Sequence, residues 1–310
     1  MRRGLLFLGM VLVWIQTNAQ NFPRDTSYTL HSDYVKNIKR YPDIQRAERA
    51  LAPDVSVQRD RVYKTVGKRA LHLDYFQPKN QHRSGWVFIL IHGGGWRTGD
   101  KGHMHVLSTI LANQGYPAFA VEYRLSPEAP FPAGVQDINS VIAWIHENAK
   151  ELGIKDKGYI LLGGSAGAQL ASLVGLARDN PDFFTDPDDK RGISIEGVVN
   201  MDGLLAFHHP DSEEGKSAAQ WLGGDYETAG DNWEAASALN YGGKNSPPML
   251  FIHSQFKRFQ AGRENLIQIL DQYDIYTKVY GIENSPHTFW HYDPWIDQVE
   301  EYVLGFMDKL

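Results

Sequence analysis

The 310-residue chain contains no cysteine. That absence excludes disulfides, zinc–thiolate and iron–sulfur sites, and cysteine nucleophiles together. Positive charge is also in short supply: 31 lysines and arginines face 37 aspartates and glutamates, for a formal net charge of −6. No basic surplus is available for a nucleic-acid backbone or an anionic lipid surface, so neither is expected as a partner. A membrane-length apolar run is missing as well. The run from Gly4 to Ile15 is 12 residues, too short to span a bilayer comfortably. The 29 glycines and 15 prolines are scattered between apolar stretches, and an apolar content of 42% is that of a globular chain able to bury a large core.

What is present begins with a leader. Met1-Arg2-Arg3 precedes the apolar run, and Thr17-Asn18-Ala19 supplies a small-x-small cleavage site before Gln20. Residues 1–19 therefore read as an export signal, without a cysteine for lipid attachment, and the mature protein is expected to be periplasmic or secreted. Residues 20–54 are polar and mixed. Tyr34, Val35, Ile38, Tyr41, Ile44 and Ala47 recur there at roughly helical spacing. They read as an N-terminal arm packed on the main domain, with the active site as a candidate location.

From residue 55 to 310 strand-like and helix-like segments alternate. Strands are predicted over 55–63, 69–76, 86–91, 117–123, 159–162, 193–200, 249–253 and 277–280. Helices are predicted over 105–114, 137–152, 166–177, 263–273 and 295–310. The run WVFILI at 86–91 is apolar throughout, as a strand covered on both faces must be. Such alternation predicts an α/β fold with a mostly parallel twisted sheet and helices on both faces. Residues 203–246 are long and weakly periodic and read as an insertion.

Two motifs carry the chemistry. Gly163-Gly164-Ser165-Ala166-Gly167 lies directly after one predicted strand and directly before a helix. A serine there sits on a sharp turn that tolerates only small neighbours, with its hydroxyl exposed beside a helix N-terminus. His92-Gly93-Gly94-Gly95-Trp96 follows the strand at 86–91. Its glycines let the backbone approach a carbonyl, and the N–H groups of Gly93 and Gly94, with that of Ala166, suit an oxyanion hole.

Together these motifs resemble α/β-hydrolases of the hormone-sensitive-lipase-like group, which includes bacterial carbohydrate and feruloyl esterases. Tyr123-Arg124-Leu125-Ser126-Pro127, Phe131-Pro132-Ala133-Gly134-Val135-Gln136-Asp137, Leu73-Asp74-Tyr75-Phe76 and Ser246-Pro247-Pro248 extend the resemblance over residues 55–310. It implies an α/β-hydrolase fold and a Ser–His–acid triad in that chain order, with no cofactor. His287, in the loop after the last strand, matches the family's general base. His103, His105, His208, His209 and His291 lack that context and read as surface or packing residues, and no metal motif accompanies His287 and His291.

The acid departs from the family pattern. Where the family places an aspartate after the strand at 249–253, this chain reads Ser254-Gln255-Phe256-Lys257-Arg258-Phe259. A triad still needs a group that accepts from the imidazole and fixes its tautomer. Asp202, at the end of the preceding strand, is the candidate, although an Asp-Gly turn explains it equally well. Glu264, Glu283 and Asp293 are alternatives, and a Ser–His dyad is another. Lys257 and Arg258 in the altered loop, with Arg263 nearby, suit a substrate carboxylate. Trp96 and Trp290 are further candidates for substrate contact. Aromatics at 289–295 either fill the core or form a sugar platform.

The expected activity is that of an exported serine esterase removing ester substituents, acetyl foremost, from plant cell-wall polysaccharide, with pectin ahead of xylan. The expected partner is a small-molecule or oligosaccharide ester, without nucleic acid or membrane anchor. A general short-chain carboxylesterase, an arylformamidase-like amidase, or a binding protein on an impaired hydrolase scaffold are the rival readings.

Overall fold

The computed structural model describes residues 25–310 other than Arg83, Asp156 and Glu214. The expected leader over residues 1–19 lies outside the described residues. The arm holds helix α1 (Leu30–Asn37) and the short strand β1 (Gln45–Arg46). Thr29 caps α1 reciprocally with Ser32. The Ser32 N–H donates to Thr29 Oγ1 at 3.1 Å, and the Thr29 N–H donates to Ser32 Oγ at 2.8 Å.

The main domain then runs through β2 (Val55–Val66), β3 (Arg69–Pro78), β4 (Trp86–Ile91), α2 (His105–Asn113), β5 (Ala118–Val121), α3 (Ala133–Glu147) and α4 (Ala149–Leu152). It continues with β6 (Gly158–Gly164), α5 (Ala166–Leu176), β7 (Ile195–Met201), α6 (Lys216–Leu222), α7 (Tyr226–Ala236) and β8 (Met249–His253). It ends with α8 (Arg263–Asp271), β9 (Thr277–Gly281), β10 (Tyr292–Asp293) and α9 (Trp295–Met307). The helix expected as one over 137–152 starts earlier and is broken at Asn148. There the side-chain amide donates back to Trp144 O at 2.7 Å in competition with the helical ladder.

Eight strands form one sheet in the order β2-β3-β5-β4-β6-β7-β8-β9. β2, β3 and β5 are antiparallel neighbours, and every pairing from β5 through β4 to β9 is parallel. This is the doubly covered, mostly parallel sheet expected of an α/β-hydrolase. β4 shows how it is stabilised. Val87, Ile89 and Ile91 enter the core under α3, α5 and α8, whereas Phe88 and Leu90 enter the core under α2 and α9. Each such buried side chain contributes about 1.5–3 kcal/mol.

Register brings the functional segments to one edge. Ile91 stands opposite Gly163, Gly164 opposite Met201, and Met201 opposite Ile252. The loops after β4, β6, β7 and β8 therefore open together at the carboxyl ends of the strands, where open parallel sheets bind ligands. The 203–246 segment folds over this edge through α6 and α7, whose Trp221 and Trp233 are buried in the core. The arm approaches from the other side, with β1 pairing antiparallel to β10.

Candidate active site

Ser165 sits between β6 and α5 with φ +56° and ψ −125°, a conformation an L-residue adopts only under constraint. Space explains its neighbours. A Cβ added to Gly163 would lie 2.1 Å from Gly167 O, and one added to Gly167 would lie 2.1 Å from Ile91 O. The turn is pinned by the Ser165 N–H, which donates to Met201 O at 2.8 Å.

Three side chains from separate loops meet here. Ser165 Oγ donates to His287 Nε2 at 2.8 Å, and His287 Nδ1–H donates to Asp202 Oδ2 at 2.9 Å. Asp202 follows β7, is 2% exposed and has φ +52°. Its Oδ1 accepts the Ser254 N–H at 2.8 Å, and its Oδ2 also accepts the Ser254 hydroxyl. Ser254 occupies the loop where the family pattern puts the acid. The carboxylate has moved one strand over, and a serine in the vacated place holds it. Phe259 lies flat on the imidazole, with ring centroids 3.5 Å apart, and Trp290 meets it edge-on at 5.7 Å. The base is thereby fixed on its carboxylate side and on two ring surfaces.

The glycine loop closes on the same point. A Cβ at Gly93 would lie 3.1 Å from the Ser165 Cβ and 2.7 Å from Gly164 O, so only glycine permits this approach. Tyr123 OH donates to His92 O and His92 Nδ1 donates to Gly93 O, both at 2.8 Å, which fixes the loop from below. Among the described residues the N–H groups of Gly93 and Gly94 meet no acceptor. The Ala166 N–H lies in the first turn of α5, where a helix leaves its donors unpaired. Unpaired N–H groups beside a nucleophile can hold a developing oxyanion.

Two cavities adjoin Ser165. The larger, about 370 Å³, is bounded by Gly93–Gly95, His287 and Trp290, by Asp33 and Lys36 of the arm, and by Lys216 of the insertion. The smaller, about 30 Å³, is lined by Trp96, Ala166, Gln169, Leu204 and Phe259. Trp96 is buried in a stack on Trp221 and donates through Nε1 to Gln169 Oε1 at 2.9 Å.

The arm contributes directly. Asp33 Oδ2 accepts from Thr288 Oγ1 and from Tyr292 OH, each at 2.6 Å, and its Oδ1 accepts from Asn37 Nδ2 at 3.1 Å. Burial pushes this carboxyl up. His291, 3.5 Å away, and the two hydroxyls outweigh burial and hold it below its ordinary value. His103, also at the cavity, is pushed down to about 3 by burial and then by His291 and His92, so it is neutral at physiological pH. His103 and His291 are both buried.

The structure brings Ser165, His287, Asp202, Gly93, Gly94 and Ala166 together. Glu264 and Glu283 are exposed and Asp293 pairs with Arg49, so none of these alternatives reaches the imidazole. Arg258 lines the larger cavity, whereas Lys257, in the same single turn at 257–260, is exposed and lines neither cavity. Arg263 is tied to Glu264 at 2.6 Å. Phe289, Trp290 and Tyr292 are core residues, and Trp290 forms a cavity floor beneath Gly164 rather than an exposed platform. Sequence reasoning did not single out Asp33, Lys36, Lys216, Ser254 or Phe259. Ser254 alone had a signal, its place in the loop where an acid was missing. Among the described residues no group of three or more histidine, aspartate or glutamate side chains could hold a metal. No described helix is long and apolar enough to cross a membrane.

The chain resembles known esterases in sequence and in fold. The family model described as BD-FAE matches residues 73–258. A probable carboxylic ester hydrolase, LipM of Mycobacterium tuberculosis, is 33% identical over 150 residues, 46% of this chain and 35% of that protein. The chain spans less than half the length of the first curated relatives it matches. A versiconal hemiacetal acetate esterase of Dothistroma septosporum is 24% identical over 89% of this chain and 87% of its own. Among solved structures, a truncated carbohydrate esterase from gut microbiota superposes with a TM-score of 0.66 at 19% identity, covering 83% of this chain and 99% of that one. That likeness establishes the α/β-hydrolase fold.

Proposed function

The chain belongs to the BD-FAE family, and from that premise we propose that it is an exported serine esterase that removes acetyl groups from plant cell-wall polysaccharide. The reading rests on the unbroken relay from Ser165 Oγ through His287 to Asp202, at 2.8 and 2.9 Å, beside unpaired N–H groups of the glycine loop.

Ser165 Oγ attacks the ester carbonyl carbon while its proton passes to His287 Nε2. The carbonyl oxygen takes the negative charge and is held by the Gly93, Gly94 and Ala166 N–H groups, where losing one donor costs about 10²–10³ in rate. Collapse breaks the bond to the leaving alcohol, which carries away the proton from His287. Water then attacks the acyl-enzyme, gives its proton to the same imidazole, and the second collapse returns that proton to Ser165 as the carboxylic acid departs. Asp202 keeps the imidazole in the tautomer that presents Nε2 to Ser165 and balances the imidazolium.

The small recess supports acetyl. Its roughly 30 Å³ accommodates about two non-hydrogen groups. The larger cavity has room for a sugar ring on the alcohol side, and the sequence leader supports export. An Asp202 carboxylate at the imidazole removes the ground for reading the scaffold as an impaired binder.

Acetate and methanol release from pectin, xylan and 4-nitrophenyl acetate by residues 20–310, with Ser165→Ala alongside, tests the reading. Acetate from a polysaccharide, lost in the variant, is the expected result. Methanol in its place would move the reaction to a methyl ester. Cleavage of the nitrophenyl ester alone would leave a short-chain carboxylesterase. No cleavage of any ester, with Ser165 unlabelled by a fluorophosphonate, would end the esterase reading.

A further inference from the structure

Lys36, Lys216 and Arg258 come from three separate elements, the arm helix α1, the insertion helix α6 and the turn after β8, and all three line the cavity that holds Ser165 and His287. Each is exposed, and among the described residues none has an ion-pair or hydrogen-bond partner. Among the described residues two acids share that cavity. The Asp33 charge is buried and met by the Thr288, Tyr292 and Asn37 donors, which leaves Glu213 as the one exposed acid among the described residues of the mouth. A chain that carries a net charge of −6 thus turns a cationic face to its reacting centre.

Arg258 is the best placed of the three. Its guanidinium carbon lies 4.4 Å from the centre of the Phe259 ring, and that ring lies 3.5 Å from the His287 imidazole. Stacking on an aromatic face orients a guanidinium while leaving its N–H edge free to engage a carboxylate in two parallel bonds. The Phe259 ring is thus a contact shared by the cation and the base.

We propose that Lys36, Lys216 and Arg258 form a carboxylate subsite that selects esters whose alcohol part carries an ionised uronic-acid carboxyl. The side of the ester follows from the two cavities. The 30 Å³ recess is lined by Trp96, Ala166, Gln169, Leu204 and Phe259, has no cation, and is filled by a small acyl group. The anion therefore belongs to the alcohol, in the larger cavity. This rests on the esterase reading above and adds to it that a neutral sugar ester is the poorer substrate.

The test compares acetylated oligogalacturonide with the same oligomer carboxyl-methylated to neutrality. The wild-type kcat/KM is expected to favour the free carboxylate by about tenfold at low salt, and the preference to shrink as salt screens the exposed cations. In the combined Lys36→Gln, Lys216→Gln, Arg258→Gln variant the ratio should fall to near unity, with the change in KM. Lys257→Gln, outside the cavity, should keep the wild-type ratio. Equal rates on both oligomers in the wild type, or a ratio that survives the triple substitution, overturns the subsite. Cleavage of 4-nitrophenyl acetate shows separately whether the esterase reading stands. Calorimetric binding of deacetylated oligogalacturonide to Ser165→Ala decides the subsite even without turnover. Tighter binding of the free than of the methylated form is expected, and equal binding sinks the proposal.

Discussion

Ser254 donates both its backbone N–H and its hydroxyl to the carboxylate of Asp202. The acid that accepts from His287 is therefore held by the loop that would ordinarily supply the acid itself. Two adjacent strand ends share one task, and the buried carboxylate has donors on both oxygens.

Removing the charge without changing the shape tests that relay. Asp202→Asn preserves volume but favours the wrong imidazole tautomer, and should lower kcat by about 10⁴ with little change in melting temperature. Ser254→Ala leaves the carboxylate under-donated and should cost about 1–3 kcal/mol of stability or its equivalent in kcat. Steady-state kinetics on a nitrophenyl ester with parallel thermal melts measures both. Wild-type activity in Asp202→Asn would remove this residue from the triad.

The arm clasps the loop of the base on both sides. Thr288, next to His287, donates to Asp33, and Tyr41 OH donates to Ser285 O at 2.8 Å. Asp33→Ala should therefore lower kcat about ten- to hundredfold with KM little altered, because a misplaced base reacts slowly however well substrate binds. Arg49→Gln, which loosens the arm at Asp293 and Asp297, is the comparison for stability alone. If both variants melt earlier and neither loses kcat, the clasp only stabilises.

On the proposed reading the small recess sets acyl size. Leu204 is buried against it, and Leu204→Ala should raise the ratio of butyrate to acetate hydrolysis by roughly tenfold, in line with about 1–3 kcal/mol per methylene-sized change in a pocket. An unchanged ratio would place the acyl group elsewhere.

Acid stability has a named source. Burial pushes the Asp74 carboxyl up. His105 at 2.7 Å, the Asp60 N–H at 2.8 Å, Lys101 at 3.0 Å and Arg59 at 3.1 Å outweigh it and hold the group far below its usual range. A depressed folded value stabilises the fold above the unfolded value of about 4, and that contribution is lost as pH falls further toward the folded value. Asp74→Asn should accordingly unfold at lower urea than the wild type at neutral pH, with the gap closing in acid. A gap that stays constant with pH would contradict the ion-pair account.

Crowding gives the last prediction. Gly167→Ala forces a Cβ to within 2.1 Å of Ile91 O, a backbone atom that cannot step aside. A loss of about 1–3 kcal/mol in chemical denaturation is expected, together with lost activity as the Ser165 turn shifts. Wild-type behaviour would mean the turn relaxes without moving its serine.

The elements that proved legible are those written in a contiguous run of residue types. The 163–167 turn and the 92–96 loop announce themselves as clusters of glycine beside a strand, although the crowding that demands glycine at Gly93 and Gly167 comes from each other's loops, at Gly164 O and Ile91 O. The strands were legible because burial on both faces leaves a run such as 86–91 without polar residues. The choice of carboxylate for His287 was not legible. Asp202 and His287 are 85 residues apart, and only the register of β7 against β8 decides which acid arrives. The same holds for Lys36 and Lys216, which join the Arg258 that the altered loop had singled out, and for Lys257, which does not line the cavity that Arg258 lines. The sequence by itself determined the layered fold, the nucleophile and its oxyanion loop, since each is carried by a contiguous run of residue types. Only the tertiary structure decided the acid, the clasp on the base and the charge of the cavity mouth, because those depend on where distant segments come to rest.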